Sequence, residues 1–307
     1  SGHRIRAMVQ YNSFGSWGWL ESLDPEVLAS VEVIPGDVRD RDSVLALMTG
    51  ADMVCHLAAL IAIPYSYQAP WSYLETNIGG TLNVLEAGRT LGTSRIVCTS
   101  TSEVYGSALF VPMDETHPLQ AQSPYAASKV GADKLVESYH LSFGLPVVTL
   151  RPFNTYGPRQ SARAVIPTVI AQLASGRRQI ALGSVTPTRD FNFVLDTAGA
   201  FHAVLEAPLD DVVGRTLNAG SGLEISVGDT VTLIADLMGT SVEIRVKDER
   251  RRPERSEVNR LVSDSSAIES AASWKPSHTL TEGLTATIEW FSSPGNLSQY
   301  KPDQYSV

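Results

Sequence analysis

The chain has 307 residues and a mass of 33.1 kDa, enough for one large core or two interlocked ones. Hydrophobic residues make up 43% and charged residues 19%, an ordinary globular balance that excludes a dominant disordered or fibrous segment. Lys+Arg number 24 against 33 Asp+Glu, a formal net charge of -9, so neither nucleic acid nor an anionic membrane finds the basic surface it needs.

No run of about 18 apolar residues is present to span a bilayer. The opening residues carry no charged-then-apolar export pattern. The two cysteines, Cys55 and Cys98, lie in apolar, strand-like runs. They are expected to be reduced core residues, in keeping with a cytoplasmic setting.

In chain order, His3 to Val9 reads as a strand and Val31 to Asp37 as a second strand ending in a turn. Asp40 to Met48 reads as a short helix with Asp40 as its cap. Met53 to Ala59 is a buried-type strand, and Asn77 to Leu91 has the helical spacing of Ile78, Leu82 and Leu85. Arg95 to Ser100 is a strand, Ser123 to Tyr139 a long helix, and Pro146 to Arg151 a further strand. Apolar strands alternating with helices predict an α/β fold: a doubly wound, Rossmann-like parallel sheet covered on both faces.

Beyond Arg151 the loops lengthen and Pro, Gly and Arg become frequent. Val194 to Ala207 reads as a helix returning to the first unit, and Arg215 to Gly220 as a strand and turn. The predicted division is therefore residues 1–150 with about 190–220 as a dinucleotide-binding domain. Residues 151–189 with 221–307 form a smaller α/β substrate domain. No repeat or low-complexity tract interrupts this pattern.

A fold of this kind opens with a strand, a glycine-rich turn and a helix, which bring backbone N–H groups to a pyrophosphate. Here the chain begins at what reads as the second strand. Gly15-Ser16-Trp17-Gly18 follows the wrong strand and lacks the spacing to replace that turn. A preceding segment of roughly 25 residues is expected in the natural protein, from ordinary element lengths. The alternative is a chain whose cofactor site lacks its phosphate turn.

The strongest local signal is Tyr125-Ala126-Ala127-Ser128-Lys129, where Tyr and Lys four apart share a helix face. A free phenol ionises near pH 10. A neighbouring ammonium and a positive nicotinamide ring would lower that value until the phenolate could take a hydroxyl proton. Upstream, at a strand end, stands Thr99-Ser100-Thr101-Ser102-Glu103-Val104-Tyr105-Gly106. Downstream stands Arg151-Pro152-Phe153-Asn154-Thr155-Tyr156-Gly157-Pro158. Ligands bind at strand C-terminal ends in this architecture.

With His56-Leu57-Ala58-Ala59, Asn77, Arg189-Asp190-Phe191 and Arg252 to Val258, these motifs resemble the extended short-chain dehydrogenase/reductases acting on nucleotide sugars. The resemblance covers the whole chain apart from the absent opening unit. Tyr11 to Leu20 and Gly157 to Arg163 look more narrowly like the NAD-dependent 4,6-dehydratases of the legionaminic-acid pathway.

The resemblance implies Tyr125 as base, Lys129 as its electrostatic partner, and Thr101 on the sugar 4-hydroxyl, with Ser102 and Glu103 completing the catalytic group. It places Asp37 and Val38 near the adenine, and Leu57, Ala58 and Ala59 along the dinucleotide. Asn12, Asn77 and Thr99 support the cofactor together with Tyr125 and Lys129. Asn154, Arg159, Arg189 and Arg252 are implied for the nucleotide-diphosphate sugar, since a guanidinium matches phosphate geometry.

In a 4,6-dehydratase, oxidation at C4 acidifies the C5 proton, a glutamate removes it, and water leaves C6. The usual triplet there is Thr-Asp-Glu. This chain has Thr101-Ser102-Glu103, which also resembles UDP-glucuronate decarboxylases. A 4-epimerase has no need of the glutamate. A 4,6-dehydratase is expected, with decarboxylase and 4-epimerase as alternatives and a non-catalytic dinucleotide-binding protein as the alternative outside the class.

The residues Gln10 to Ser13 offer neither an acid for the ribose nor an arginine for a 2′-phosphate, so NADP stays open. The resemblance points to NAD and to a homodimer held by the helices after Asn77 and around Tyr125. His56 is expected to be a structural strand-end residue, and no His/Cys/Asp cluster has metal-ligand spacing.

Overall fold

The computed structural model describes residues 2–247, 250 and 252–300. The first part of the chain supplies β1 (Ile5–Gln10), α1 (Pro25–Ala29), β2 (Val31–Gly36), α2 (Arg41–Met48) and β3 (Met53–His56). It continues with α3 (Ile63–Gln68), α4 (Pro70–Tyr73), α5 (Gly80–Leu91), β4 (Arg95–Thr99), α6 (Pro124–Phe143) and β5 (Val147–Pro152). Then come β6 (Asn154–Tyr156), α7 (Val165–Ala174), β7 (Gln179–Leu182), β8 (Thr188–Arg189), β9 (Phe191–Phe193), α8 (Val194–Glu206) and α9 (Leu209–Val212). The last elements are β10 (Thr216–Ala219), β11 (Ile225–Ser226), α10 (Val227–Leu237), β12 (Glu243–Val246), α11 (Ser266–Ala272) and α12 (Leu280–Ser292).

Parallel strands run in the order β10-β5-β4-β3, with Ile96 opposite Val147 and His56 opposite Cys98. Alternation along these strands sends side chains to both faces. Ile96, Cys98 and Val147 meet Val84, Leu85 and Val136 of α5 and α6. Val97, Val148 and Leu150 meet Ala200, Val204 and Ile268 of α8 and α11. Helices on both faces of a parallel sheet make the fold doubly wound α/β. Strands β1 and β2 form a second parallel ladder, and among the described residues β1 and β3 each pair on one side only.

A separate core gathers Ile170, Ile180, Phe193, Val231, Ile234, Leu284 and Phe291 around α7, α10, α12 and the β7–β12 pair. The short parallel pair β6–β9 leads from β5 into this region.

Local chemistry explains the element ends. Asp40 caps α2 through the Asp42 N–H. Ser123 caps α6, Pro124 starts it, and Gly144 closes it at φ 64. Arg95, itself buried, donates to the carbonyls of Val204, Leu205 and Ala207 and so ties β4 to the end of α8.

Two expectations are modified. The helix over Asn77 starts earlier, at Pro70, and passes through a π-helical stretch at Leu74–Gly79 before α5. The widened turn sets Asn77 into the interior. Cys98 is buried as expected, but Cys55, on the half-paired strand β3, is exposed; both thiols are free.

His56 is buried against the Thr81 hydroxyl at 3.0 Å, and burial lowers its imidazole from 6.5 to about 3. A histidine held neutral contributes stability above its unfolded value and loses it as pH falls from about 6.5 toward 3. Thermal unfolding followed from pH 7 to 4 should therefore show His56→Asn losing about 3 kcal/mol less than the unaltered protein.

Candidate active site

The Thr101–Tyr105 turn follows directly from the end of β4. Thr101 caps it, its hydroxyl accepting from the Glu103 N–H at 3.2 Å. The same hydroxyl is hydrogen-bonded with the Tyr125 phenol. Tyr125 and Lys129 share the inward face of α6, and both are buried. The Lys129 ammonium donates to the Thr99 carbonyl at 2.5 Å, which fastens the helix to the strand end.

Burial pushes the Tyr125 phenol above its ordinary value, the Thr101 hydrogen bond opposes this, and the Glu103 charge adds to it. Burial also lowers the Lys129 ammonium, against the pull of Asp133 one turn on. A base at Tyr125 thus calls for a further positive charge beside it.

Ser102 and Glu103 are buried beside the half-buried Thr101 at the strand end. Glu103 Oε2 lies 3.9 Å from Nη1 of Arg252. Arg252 is 3.8 Å from Glu257, whose carboxylate also accepts from Arg189 Nη2 at 3.3 Å. Two arginines predicted separately from the sequence are thereby brought to one acid. The Arg252 Nη1 is buried without a hydrogen-bond partner, as is the Asn154 carbonyl oxygen. Such groups ask for a ligand.

Asn77 donates to the Leu60 carbonyl and to Ser128 Oγ at 2.9 Å each and accepts from the Leu60 N–H at 2.8 Å. One amide thereby fixes the Leu57–Ile61 loop, the π-helical stretch and α6. Tyr73 adds an edge-on contact to Tyr125 at 6.2 Å.

Asp37 pairs with Arg39 at 2.6 Å, which holds its carboxyl below the usual range. Val38 packs where a Cβ on Gly80 would come within 2.7 Å, so only glycine lets α5 approach this turn. A cavity of about 500 Å³ opens here, lined by Asp37, Arg39, Glu75, Gly79, Leu82 and Asn83.

The other predicted residues sit differently. Asn12 spends its amide on its own turn, accepting from Phe14 and Ser16 N–H and donating to the Ser16 and Gln10 carbonyls. Arg159 lies away from Glu103, with its guanidinium on Ser22 Oγ at 2.8 Å and over the Trp290 ring at 5.9 Å.

Sequence reading missed Asp133, Ser128, Glu257 and Tyr73. Asp133 had the one available signal, its place one helical turn beyond Lys129. Among the described residues no group of three or more His, Cys, Asp or Glu could hold a metal ion.

The residues fit a nicotinamide dinucleotide at two places: the Tyr125/Lys129 end, where the Thr99 hydroxyl is a buried donor without a partner, and the cavity beside Asp37. A glycine-rich phosphate turn is not among the described residues.

A tyrosine and lysine on one buried helix face at the strand ends of a doubly wound sheet define an extended short-chain dehydrogenase/reductase. The family described as GDP-mannose 4,6 dehydratase matches residues 1–287. The low-salt glycan biosynthesis protein Agl12 of Haloferax volcanii is 31% identical over 259 residues, 84% of this chain and 81% of that protein. A dTDP-glucose 4,6-dehydratase of Streptomyces griseus is 34% identical over 277 residues, covering 87% and 81%.

Among solved structures, a double mutant of DesIV, a dTDP-glucose 4,6-dehydratase of Streptomyces venezuelae with NAD bound, superposes with a TM-score of 0.79. It shares 28% identity, and the match covers 89% of this chain and 82% of that one. A UDP-N-acetylglucosamine 4-epimerase of Methanobrevibacter ruminantium gives 0.83 at 28% identity, covering 97% and 91%. The chain belongs to this family of NAD-dependent nucleotide-sugar dehydratases and epimerases.

The Asn77 amide makes three buried hydrogen bonds, so Asn77→Ala should destabilise the protein by about 2–4 kcal/mol in urea denaturation. Asn77→Asp, which turns a buried carboxyl toward the Leu60 carbonyl, should cost at least as much.

Proposed function

We infer that this chain is a nucleotide-sugar 4,6-dehydratase. The observation that carries the reading is the buried Glu103 carboxyl beside the Thr101–Tyr125 pair, since a simple 4-epimerase has no work for it. The dehydratases among its relatives support it. NAD held beside Tyr125 and Lys129 would supply the hydride acceptor for C4 and donor for C6, and a positive ring charge that would lower the Tyr125 phenol.

The chain's own residues do the rest. Tyr125 takes the 4-hydroxyl proton while Thr101 orients that hydroxyl. Lys129 stabilises the phenolate electrostatically. Glu103 removes the C5 proton. With Ser102 unable to act as a strong acid, the same Glu103 carboxyl hands that proton to the departing 6-hydroxyl, so water leaves and Glu103 is again a carboxylate; C5 then takes a proton from solvent as hydride returns to C6, and Tyr125 releases the 4-hydroxyl proton to solvent.

Arg189 and Arg252 hold the diphosphate, with Asn154 at its edge. Asp37, Val38, Leu57, Ala58, Ala59, Asn77 and Thr99 form the dinucleotide side. The Thr101-Ser102-Glu103 triplet, with a serine in the middle, favours decarboxylation of a nucleotide-linked uronic acid as the second reading.

We also place the protein in the cytoplasm, with both thiols free, and as a homodimer. Trp71 and Leu74 are exposed apolar side chains, Trp71 with 69% of its surface open, on the helical run that packs beside α6. No helix among the described residues is long and apolar enough to cross a membrane.

Protein and NAD incubated with dTDP-glucose, UDP-GlcNAc, GDP-GlcNAc and UDP-glucuronate should give a product lighter by about 18 mass units, one water. Loss of carbon dioxide would move the assignment to the second reading. Glu103→Gln should lower kcat roughly 10²–10⁴-fold while reduced coenzyme still accumulates and solvent deuterium no longer enters at C5. Sedimentation should show a dimer that Trp71→Glu with Leu74→Glu converts to monomer.

A further inference from the structure

We propose that residues 11–24 form a strap coupling the dinucleotide end of the molecule to its sugar end, with Arg159 as the positioning residue that latches it. The inference rests on the nucleotide-sugar reading and concerns two segments that sequence alone left unconnected. One is the aromatic run Tyr11 to Leu20, and the other is Gly157 to Arg163.

The strap is rooted at the C-terminal ends of β1 and β2, where the Tyr11 N–H donates to the Gly36 carbonyl at 3.2 Å. Asn12 rigidifies its first turn through both ends of its amide. The Trp17 N–H donates to Glu21 at 2.6 Å and closes the second. A preformed segment of this kind can transmit a displacement from root to tip.

Its tip docks on the other core. The Trp19 ring meets Trp290 of α12 edge-on, at 5.4 Å between centroids and 75° between planes. Arg159 stacks over the same Trp290 ring at 5.9 Å while its Nε donates to Ser22 Oγ at 2.8 Å. Its backbone is held at φ +69, a region a side chain disfavours, so contacts at this position select its conformation.

The neighbouring residue is tied down as well. The Gln160 carbonyl accepts from the Tyr300 hydroxyl at 3.0 Å, and Tyr300 packs on Trp290 and Phe291. The Gln160 side chain donates to the Thr155 carbonyl at 2.8 Å, one residue from Asn154. A continuous set of contacts therefore runs from the ends of β1 and β2 to the loop beside the sugar side. A ligand that settles the strap should favour, through Arg159 and Gln160, the arrangement of Asn154 that the second ligand needs, and the reverse must hold equally.

The test titrates NAD into the full chain by calorimetry, with and without saturating dTDP or UDP. In the unaltered protein the nucleoside diphosphate should tighten NAD about tenfold, within the usual range of such coupling. In Arg159→Ala and in Trp19→Ala the factor should fall below about twofold, with each ligand's own affinity moving less than about threefold. Trp290→Phe keeps an aromatic face and should retain most of the coupling. Undiminished coupling in Arg159→Ala, or none in the unaltered protein that binds both ligands, overturns the strap. Failure of the unaltered protein to bind either ligand would sink the nucleotide-sugar reading instead. The strap would then be judged by hydrogen exchange: Arg159→Ala must speed exchange of the amides of residues 12–22, and unchanged rates would refute it.

Discussion

The carboxylate of Asp133 is the point on which the catalytic end of the molecule is braced. One oxygen accepts from Ser100 Oγ at 2.8 Å and from Arg151 Nε and Nη2 at 3.1 and 2.9 Å. Those partners stand at the end of β4 and on β5, while Asp133 itself is on α6. Arg151 goes on to donate to the Tyr105 hydroxyl at 2.9 Å, and Tyr105 donates to Asn218 on β10. Three adjacent strands and the catalytic helix are thus joined through one buried charge pair. Removing one partner of such a pair costs roughly 3–5 kcal/mol, because the other is left buried and uncompensated. The position of Tyr125 and Lys129 relative to Thr101 is inherited from this brace rather than set by the helix alone.

Features written in local sequence were readable. The apolar runs of β4 and β5 and the caps at Asp40 and Ser123 each need only a few neighbouring residues, and each stands where the sequence put it. The π-helical stretch at Leu74–Gly79 was not readable, because its cause is tertiary: Asn77 reaches a loop and another helix. The exposure of Cys55 was hidden for a similar reason. An apolar run reports that a strand suits burial, not which of its neighbours are present to bury it.

The candidate site divides in the same way. Thr101, Glu103, Tyr125 and Lys129 were legible because a strand end and one helix face display them at fixed spacings. The approach of Arg252 to Glu103 spans about half the chain, and no periodicity encodes it. Arg159 shows a choice that sequence leaves open. An arginine in a polar loop matches phosphate chemistry, but it also matches an aromatic face and a hydroxyl, and only the fold decides which it meets. Asp133 was missed for another reason: despite its place one turn beyond Lys129, a charged residue on a helix reads as solvent-facing until a strand-borne arginine is found beneath it.

Charge balance links this arrangement to what the site can accept. Glu103 and Glu257 face Arg189 and Arg252, two anions against two cations. The contacts of Arg252 are long, 3.8 and 3.9 Å, and Arg189 holds Glu257 at 3.3 Å, so the guanidiniums are matched in charge but not saturated in hydrogen bonds. A diphosphate brings its own negative charge with stronger acceptor geometry and can draw both arginines toward itself. On the proposed reading, Glu103 would then lose its neighbouring Arg252 contact as the diphosphate binds. On that reading, diphosphate binding and the freeing of the Glu103 carboxylate would be two effects of the same displaced arginine.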